Sequence, residues 1–213
     1  MLKVNGLKKL KINKKKFLYL ISPNRIKISF YQDLIKVLKS KKISFFQLRL
    51  KQNSFKKKVT IAKKIKIICK KYQVKFLIND DPFLAKKINA DGCHLGQKDM
   101  KIREARKLLN NKIIGVTCHN SLKLAKLAIK NKADYVAFGA FNSSKTKKVK
   151  YKANVSLIKK LKKLSNIPVI AIGGINDSNY EKLLLNKADF LAISGYIWNN
   201  NKLKPLEAIK KLK

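Results

Sequence analysis

KFLINDDP, residues 75–82, and GCHLGQKD, residues 92–99, decide the fold. In each, a short apolar run ends on acidic side chains. Phe76-Leu77-Ile78 leads into Asn79-Asp80-Asp81, and Cys93-His94-Leu95 leads into Gly96-Gln97-Lys98-Asp99. The runs are apolar on both faces, as parallel strands covered by helices are. Carboxylates are scarce here, 11 acidic residues against 52 basic ones. Two of them at successive strand ends are candidate oxygen ligands for Mg²⁺. With basic residues at other strand ends, they form a candidate metal–diphosphate site.

On either side of these stretches, the same strand-then-helix alternation runs from end to end. Strand-like stretches fall at residues 17–21, 43–48, 75–78, 92–95, 112–116, 135–138, 168–172 and 190–193. Helical spacing separates them: Ile61, Ile65, Ile68 and Cys69; Leu122, Ala125 and Ile129; Ile158, Leu161 and Leu164. Lysines fill the other faces, their stems covering apolar surface while the ammonium stays in water. Ser54, Ser121 and Asp177 stand at expected N-caps, and Pro82 opens a helix where its missing N–H is harmless. Eight units of this kind close a parallel barrel, so the fold class expected is α/β, a single-domain (β/α)8 TIM barrel over residues 17–213. Residues 1–16 read as a basic extension. A doubly wound sheet competes, but Ile21-Ser22-Pro23-Asn24 lacks the glycines of its first turn. No internal repeat is obvious.

The formal charge of +41 is extreme. Such a field draws polyanions and phosphorylated substrates, yet the lysines are spread over every expected helix, in a Lys-, Ile- and Asn-rich composition typical of A/T-biased codons. Charge is therefore a weak guide to partners. With 46% hydrophobic residues the chain builds a core and is no disordered polycation. Cys69, Cys93 and Cys118 form no metal-type pair, which fits free thiols in a reducing cytoplasm. No apolar run reaches the roughly 18 residues of a membrane span. The expected partners are small molecules, with no specific nucleic acid and no membrane; a homo-oligomer is compatible with the sequence.

Barrel enzymes act from the C-terminal ends of their strands. Strand two ends in Gln47-Leu48-Arg49-Leu50-Lys51, and alternation puts Gln47, Arg49 and Lys51 on one side, an oxyanion clamp. Asp80 and Asp99 are assigned to metal, and Asp81 to capping the helix that Pro82 opens. Strand five ends on Thr117, which offers a hydroxyl. His119 is a candidate base, against the plainer reading of a packed or surface histidine, and His94 reads as structural. After strand six, hydroxyls alternate with lysines around Ser144 and Thr146, a pattern that holds phosphate. Gly173-Gly174 after strand seven and Ser194-Gly195 after strand eight complete a backbone phosphate site of the kind barrels place there.

These residues resemble the thiamine phosphate synthase family, through QLRLK (47–51), INDD (78–81), ADGCHLGQKD (90–99), GVTCH (115–119), ADYVAFGAF (133–141), KTK (145–147), IPVIAIGGI (167–175) and AIS (192–194), in order and with matching spacing. The resemblance implies coupling of hydroxymethylpyrimidine diphosphate to a thiazole phosphate with release of diphosphate, assisted by Mg²⁺ on Asp80 and Asp99. It implies that Gln47, Arg49, Lys51, Asn79 and Lys147 hold the pyrimidine diphosphate. Ser144, Thr146, Gly174, Ile193 and Ser194 would hold the thiazole phosphate. Arg49, Lys51, Lys147 and Thr117 are then the expected catalytic residues. Thr117 replaces a usual Ser beside the pyrimidine, Ser144 a usual Thr, and Asn142-Ser143 an aromatic–Pro step. Related thiazole tautomerases shuttle protons instead and would rely on a base such as His119. A nucleic-acid-binding polycation would show steeply salt-dependent binding.

Overall fold

In the computed structural model, which describes residues 15–143 and 149–212, eight strands close into one barrel in sequence order. They are β1 (Leu18–Ile21), β2 (Ile43–Leu48), β3 (Lys75–Asn79), β4 (Gly92–Leu95), β5 (Ile113–Thr117), β6 (Tyr135–Gly139), β7 (Val169–Ile172) and β8 (Phe190–Ile193). Every neighbouring pair is parallel, including β1 with β8. Helices α1 (Ser29–Leu38), α2 (Phe55–Lys71), α3 (Pro82–Lys87), α4 (Ile102–Leu109), α5 (Leu122–Lys130), α6 (Val155–Leu164) and α7 (Tyr180–Leu185) alternate with the strands, and α8 (Gly195–Trp198) and α9 (Pro205–Lys211) follow β8. The strands fall within one residue of their expected ends. The doubly wound alternative is excluded by closure. No helix among the described residues is long and apolar enough to cross a membrane.

Three of the expected side-chain caps are in place. Ser54 accepts the Lys57 N–H, Ser121 the Leu124 N–H and Asp81 the Leu84 N–H, each filling an orphan donor of the first turn. Asp177 is the exception: α7 begins at Tyr180 behind Asn179, so Asp177 lies before the helix instead of capping it.

Strand alternation splits the core in two. Leu18, Leu20, Phe46, Phe76 and Ile78 pack outward under the helices. Tyr19, Phe45, Leu77, Tyr135, Ile170 and Phe190 fill the barrel interior. Phe45 and Phe190 meet edge to face, centroids 5.1 Å apart. Gly115 pairs with Tyr135 across β5 and β6, and the Tyr135 ring lies where a side chain at Gly115 would stand.

The N-terminal end of the barrel carries a repeat that the sequence conceals. Asn89-Ala90-Asp91, Lys132-Ala133-Asp134 and Lys187-Ala188-Asp189 lead into β4, β6 and β8, and the first residue of each has φ of 51°, 66° or 68°. Each aspartate accepts a backbone N–H from the preceding strand: Phe76 at 2.9 Å, Ile114 at 2.7 Å and Val169 at 2.7 Å. Each also meets a cation, Lys75, Arg106 or Lys162. Three of the scarce acids thus fasten strand pairs at the end of the barrel opposite Asp80 and Asp99.

Candidate active site at the C-terminal rim

Asp80 is the first residue beyond β3. Its backbone has φ +63°, a left-handed conformation that Asp tolerates better than most residues. The turn is tied down by the Asp80 N–H, which donates to the His94 carbonyl in β4 at 2.8 Å. Asp99 is fixed from below, where its Oδ2 accepts the Gly96 N–H at 2.6 Å. The two carboxyl groups are hydrogen-bonding neighbours, and Asp80 is pushed up to about 6 by burial, by its hydrogen bond with Asp99 and by the Asp99 charge. Lys51, with Nζ 3.6 Å from Asp80 Oδ2, and the Asn79 amide pull the other way.

That donor set fits a hard divalent ion. Two facing carboxylates repel and favour a shared cation. Among the described residues no group of three or more His, Cys, Asp or Glu forms a metal-binding cluster. An ion held by one or two carboxylates completes its shell with water and substrate phosphate, as Mg²⁺ does, and is not enclosed in an all-protein cage.

Beside the acids opens a cavity of about 460 Å³ lined by Lys51, Lys58, Asn79, Asp80 and Asp81 among others. Lys58 was not anticipated from the sequence; it stands one turn into α2 and adds a second ammonium. The expected trio at strand two does not converge. Gln47 lies inside the barrel, hydrogen-bonded to Tyr19 and Asn79. Arg49 turns toward β1, where its Nη1 donates to Asn24 Oδ1 at 2.6 Å and its N–H to Ser22 Oγ. Lys51 turns toward Asp80. Alternation ends with β2 at Leu48, and the loop beyond follows its own course.

Thr117 closes β5. Its Oγ1 lies 2.8 Å from His94 Nε2, and its carbonyl accepts from Gln97. Burial pushes the His94 imidazole down to about 4. His119, at φ +51°, stacks on Tyr151 with centroids 4.2 Å apart.

Gly174, at φ +60°, is needed for packing: a Cβ there would meet the Ser143 carbonyl oxygen at 2.1 Å. What approaches this backbone is the chain after β6, whose Asn142 N–H donates to the Gly173 carbonyl. Ile193 has its side chain buried among the outer core and pairs with Leu20 of β1. Ser194 Oγ donates to the Ser22 carbonyl at 3.3 Å. Ser144, Thr146 and Lys147 lie outside the described residues. Gln47, Arg49, Lys51, Asn79, Asp80, Asp99, Thr117, Gly174 and Ser194 all sit at the C-terminal ends of their strands. Tyr19 and Tyr135, whose hydroxyls link Gln47 to His94, carry no motif that singles them out in the sequence. A tyrosine at an inward strand position was the available signal, since its buried hydroxyl requires a partner.

A family model described as Thiamine monophosphate synthase matches residues 18–197. The chain is 68% identical over 208 residues to a thiamine-phosphate synthase of Pelagibacter ubique (strain HTCC1062), covering 97% of this chain and 100% of that one. It is 39% identical to a thiamine-phosphate synthase of Erythrobacter litoralis (strain HTCC2594), over 90% and 92% of the two chains. A solved thiamine phosphate pyrophosphorylase from Pyrococcus furiosus superposes with a TM-score of 0.82 at 27% identity, over 93% and 94% of the two chains.

Proposed function

The chain belongs to the thiamine monophosphate synthase family, and from that premise we propose how its residues carry out the synthesis and which substrates they hold. It is a transferase of thiamine biosynthesis that acts on small molecules. We propose that it couples hydroxymethylpyrimidine diphosphate to a thiazole phosphate, with Mg²⁺ as cofactor, in the cytoplasm, and that residues 17–213 form the catalytic barrel behind a basic extension at 1–16. The observation that carries this reading is the meeting of Asp80 and Asp99 beside Lys51. The three cysteines are free and buried, consistent with a reducing compartment.

The carbon that loses diphosphate is attached to an electron-rich aminopyrimidine. Its C–O bond can break heterolytically, giving a resonance-stabilised cation and diphosphate, and the thiazole nitrogen then supplies the electron pair of the new C–N bond. No protein nucleophile is required. The protein's work is to stabilise charge developing on the departing oxygens and to align the two rings. Asp80 and Asp99 would hold Mg²⁺, which when bound supplies Lewis-acid charge to the diphosphate. Lys51 and Lys58 face the same cavity and, with Arg49 and Lys147, add positive charge for the leaving group. Gln47, Asn79 and Thr117 position the pyrimidine. Ser144, Thr146, Gly174, Ile193 and Ser194 receive the thiazole phosphate.

The test is a coupling assay with both substrates that reads thiamine phosphate with and without Mg²⁺. Product should form only with the ion present. Undiminished product after exhaustive chelation would show that the reaction needs no metal.

A further inference from the structure

A single file of hydrogen bonds crosses the barrel interior from Thr117 to Asp80. Thr117 Oγ1 lies 2.8 Å from His94 Nε2, and His94 Nδ1 lies 2.8 Å from the Tyr135 hydroxyl. That hydroxyl is 2.8 Å from the Tyr19 hydroxyl, which donates to Gln47 Oε1 at 2.6 Å. Gln47 Nε2 donates to Asn79 Oδ1, and the Asn79 amide reaches the Asp80 carboxylate. Tyr19, Tyr135, Gln47 and His94 are all buried, so these groups satisfy one another.

Counting hydrogens fixes the direction of the file. An amide donates only through its nitrogen and accepts only at its oxygen, so Gln47 Nε2 gives a hydrogen to Asn79 Oδ1 and Gln47 Oε1 takes one from Tyr19. Tyr19 has spent its one hydrogen, so it accepts from Tyr135, and Tyr135 in turn accepts from His94 Nδ1–H. An imidazole buried here without a side-chain carboxylate hydrogen-bonded to either nitrogen stays neutral. Its Nε2 is then a lone pair, and Thr117 must donate to it. A hydroxyl that spends its hydrogen inward shows only lone pairs to the pocket.

We propose that Tyr19, Tyr135 and His94 are positioning residues that lock Thr117 as a hydrogen-bond acceptor, so that the site selects a heteroaromatic ring bearing an exocyclic amine and disfavours the oxo analogue. The proposal rests on the function assigned above, which places the aminopyrimidine beside Thr117. It also couples that end of the substrate to Asp80 at the diphosphate end. Bonds aligned in one direction polarise each other, so breaking the middle of the file is felt at its ends.

The experiment uses untagged full-length chain carrying His119→Asn, which leaves His94 as the one remaining histidine. Nitrogen NMR of the substrate-free protein should show Nδ1 protonated and Nε2 bare. Tyr135→Phe keeps the ring but removes the acceptor for Nδ1–H. The tautomer should then switch to Nε2–H, returning Thr117's hydrogen to the pocket. The KM for the pyrimidine diphosphate should rise about tenfold, as loss of one well-placed hydrogen bond does. The KM for the thiazole phosphate should stay the same, and the preference for amino over oxo pyrimidine should narrow. Tyr19→Phe breaks the next link and should produce the same switch, which serves as a check if the first variant is unstable. Protonation of Nε2 in the parent protein, or both KM values unchanged in the two variants, would overturn the proposal. The tautomer is read without substrate, so a parent protein with the stated tautomer but no coupling activity would count against the assigned reaction and not against the file.

Discussion

Asp80→Asn is expected to lower turnover by about 10²–10³-fold, the scale of losing one preorganised stabiliser of developing charge, while the barrel stays folded. Asparagine keeps the size of the side chain and tolerates the φ of +63° that this position demands. It also removes a carboxyl group that the fold holds against another: Asp80 is pushed up to about 6 by burial and by Asp99. Ionised Asp80 is therefore a burden on the metal-free barrel, and neutralising it should leave the melting temperature equal or higher. Activity and stability thus move apart, which marks a residue kept for chemistry. The check is a pair of measurements on one preparation, thermal melting without metal and steady-state coupling with saturating Mg²⁺. Turnover within a few-fold of the parent protein would show that Asp80 does not serve the leaving group. A fall in melting temperature matching the fall in turnover would assign it to the fold.

Gly115→Ala should be the most damaging small substitution in the barrel. The added Cβ would stand 1.7 Å from the Tyr135 Cζ. Tyr135 cannot retreat: its ring is buried inside the closed sheet, stacked on His94 at 5.6 Å and held by hydrogen bonds on both sides of its hydroxyl. Moving the backbone instead would disturb the β5–β6 pairing, in which Gly115 and Tyr135 are partners. Ordinary overpacking costs about 1–3 kcal/mol. A clash that neither ring nor strand can relieve belongs with the exceptional losses of about 4 kcal/mol or more. Urea denaturation reads the result directly. A companion Gly115→Ala/Tyr135→Leu chain should recover part of the loss, because the shorter side chain vacates the ring's volume. A stable single variant would mean the ring is more loosely held than its contacts imply.

The architecture was legible because parallel strands under helices need apolar residues on both faces, and eight such runs punctuated by capped helices allow few closures. The two site acids were legible for a different reason. In so basic a chain, acids at strand ends stand out, and Pro82 separated the capping role of Asp81 from Asp80. The failures fall where local pattern stops governing direction. Arg49 and Lys51 leave the strand and diverge toward Asn24 and Asp80. Asp177 sits in a turn ahead of α7, whose start is set by Asn179 and Tyr180. The repeated Ala-Asp steps are only a few residues long, too brief to register as a repeat until the barrel aligns them. Tyr19 and Tyr135 look like ordinary strand residues, and only the closed barrel brings their hydroxyls together at 2.8 Å from strands far apart in sequence.

The proposed synthesis depends above all on Asp80 and Asp99 together holding one divalent ion at the mouth of the barrel. Mn²⁺, a spectroscopic substitute for Mg²⁺, can be titrated into the protein with pyrimidine diphosphate present and its free fraction followed by electron paramagnetic resonance. The parent chain should take up one ion that Mg²⁺ displaces, and Asp80→Asn and Asp99→Asn should each weaken that binding at least about tenfold, on the scale of losing a charged ligand contact. Undiminished Mn²⁺ affinity in both variants would contradict the claim.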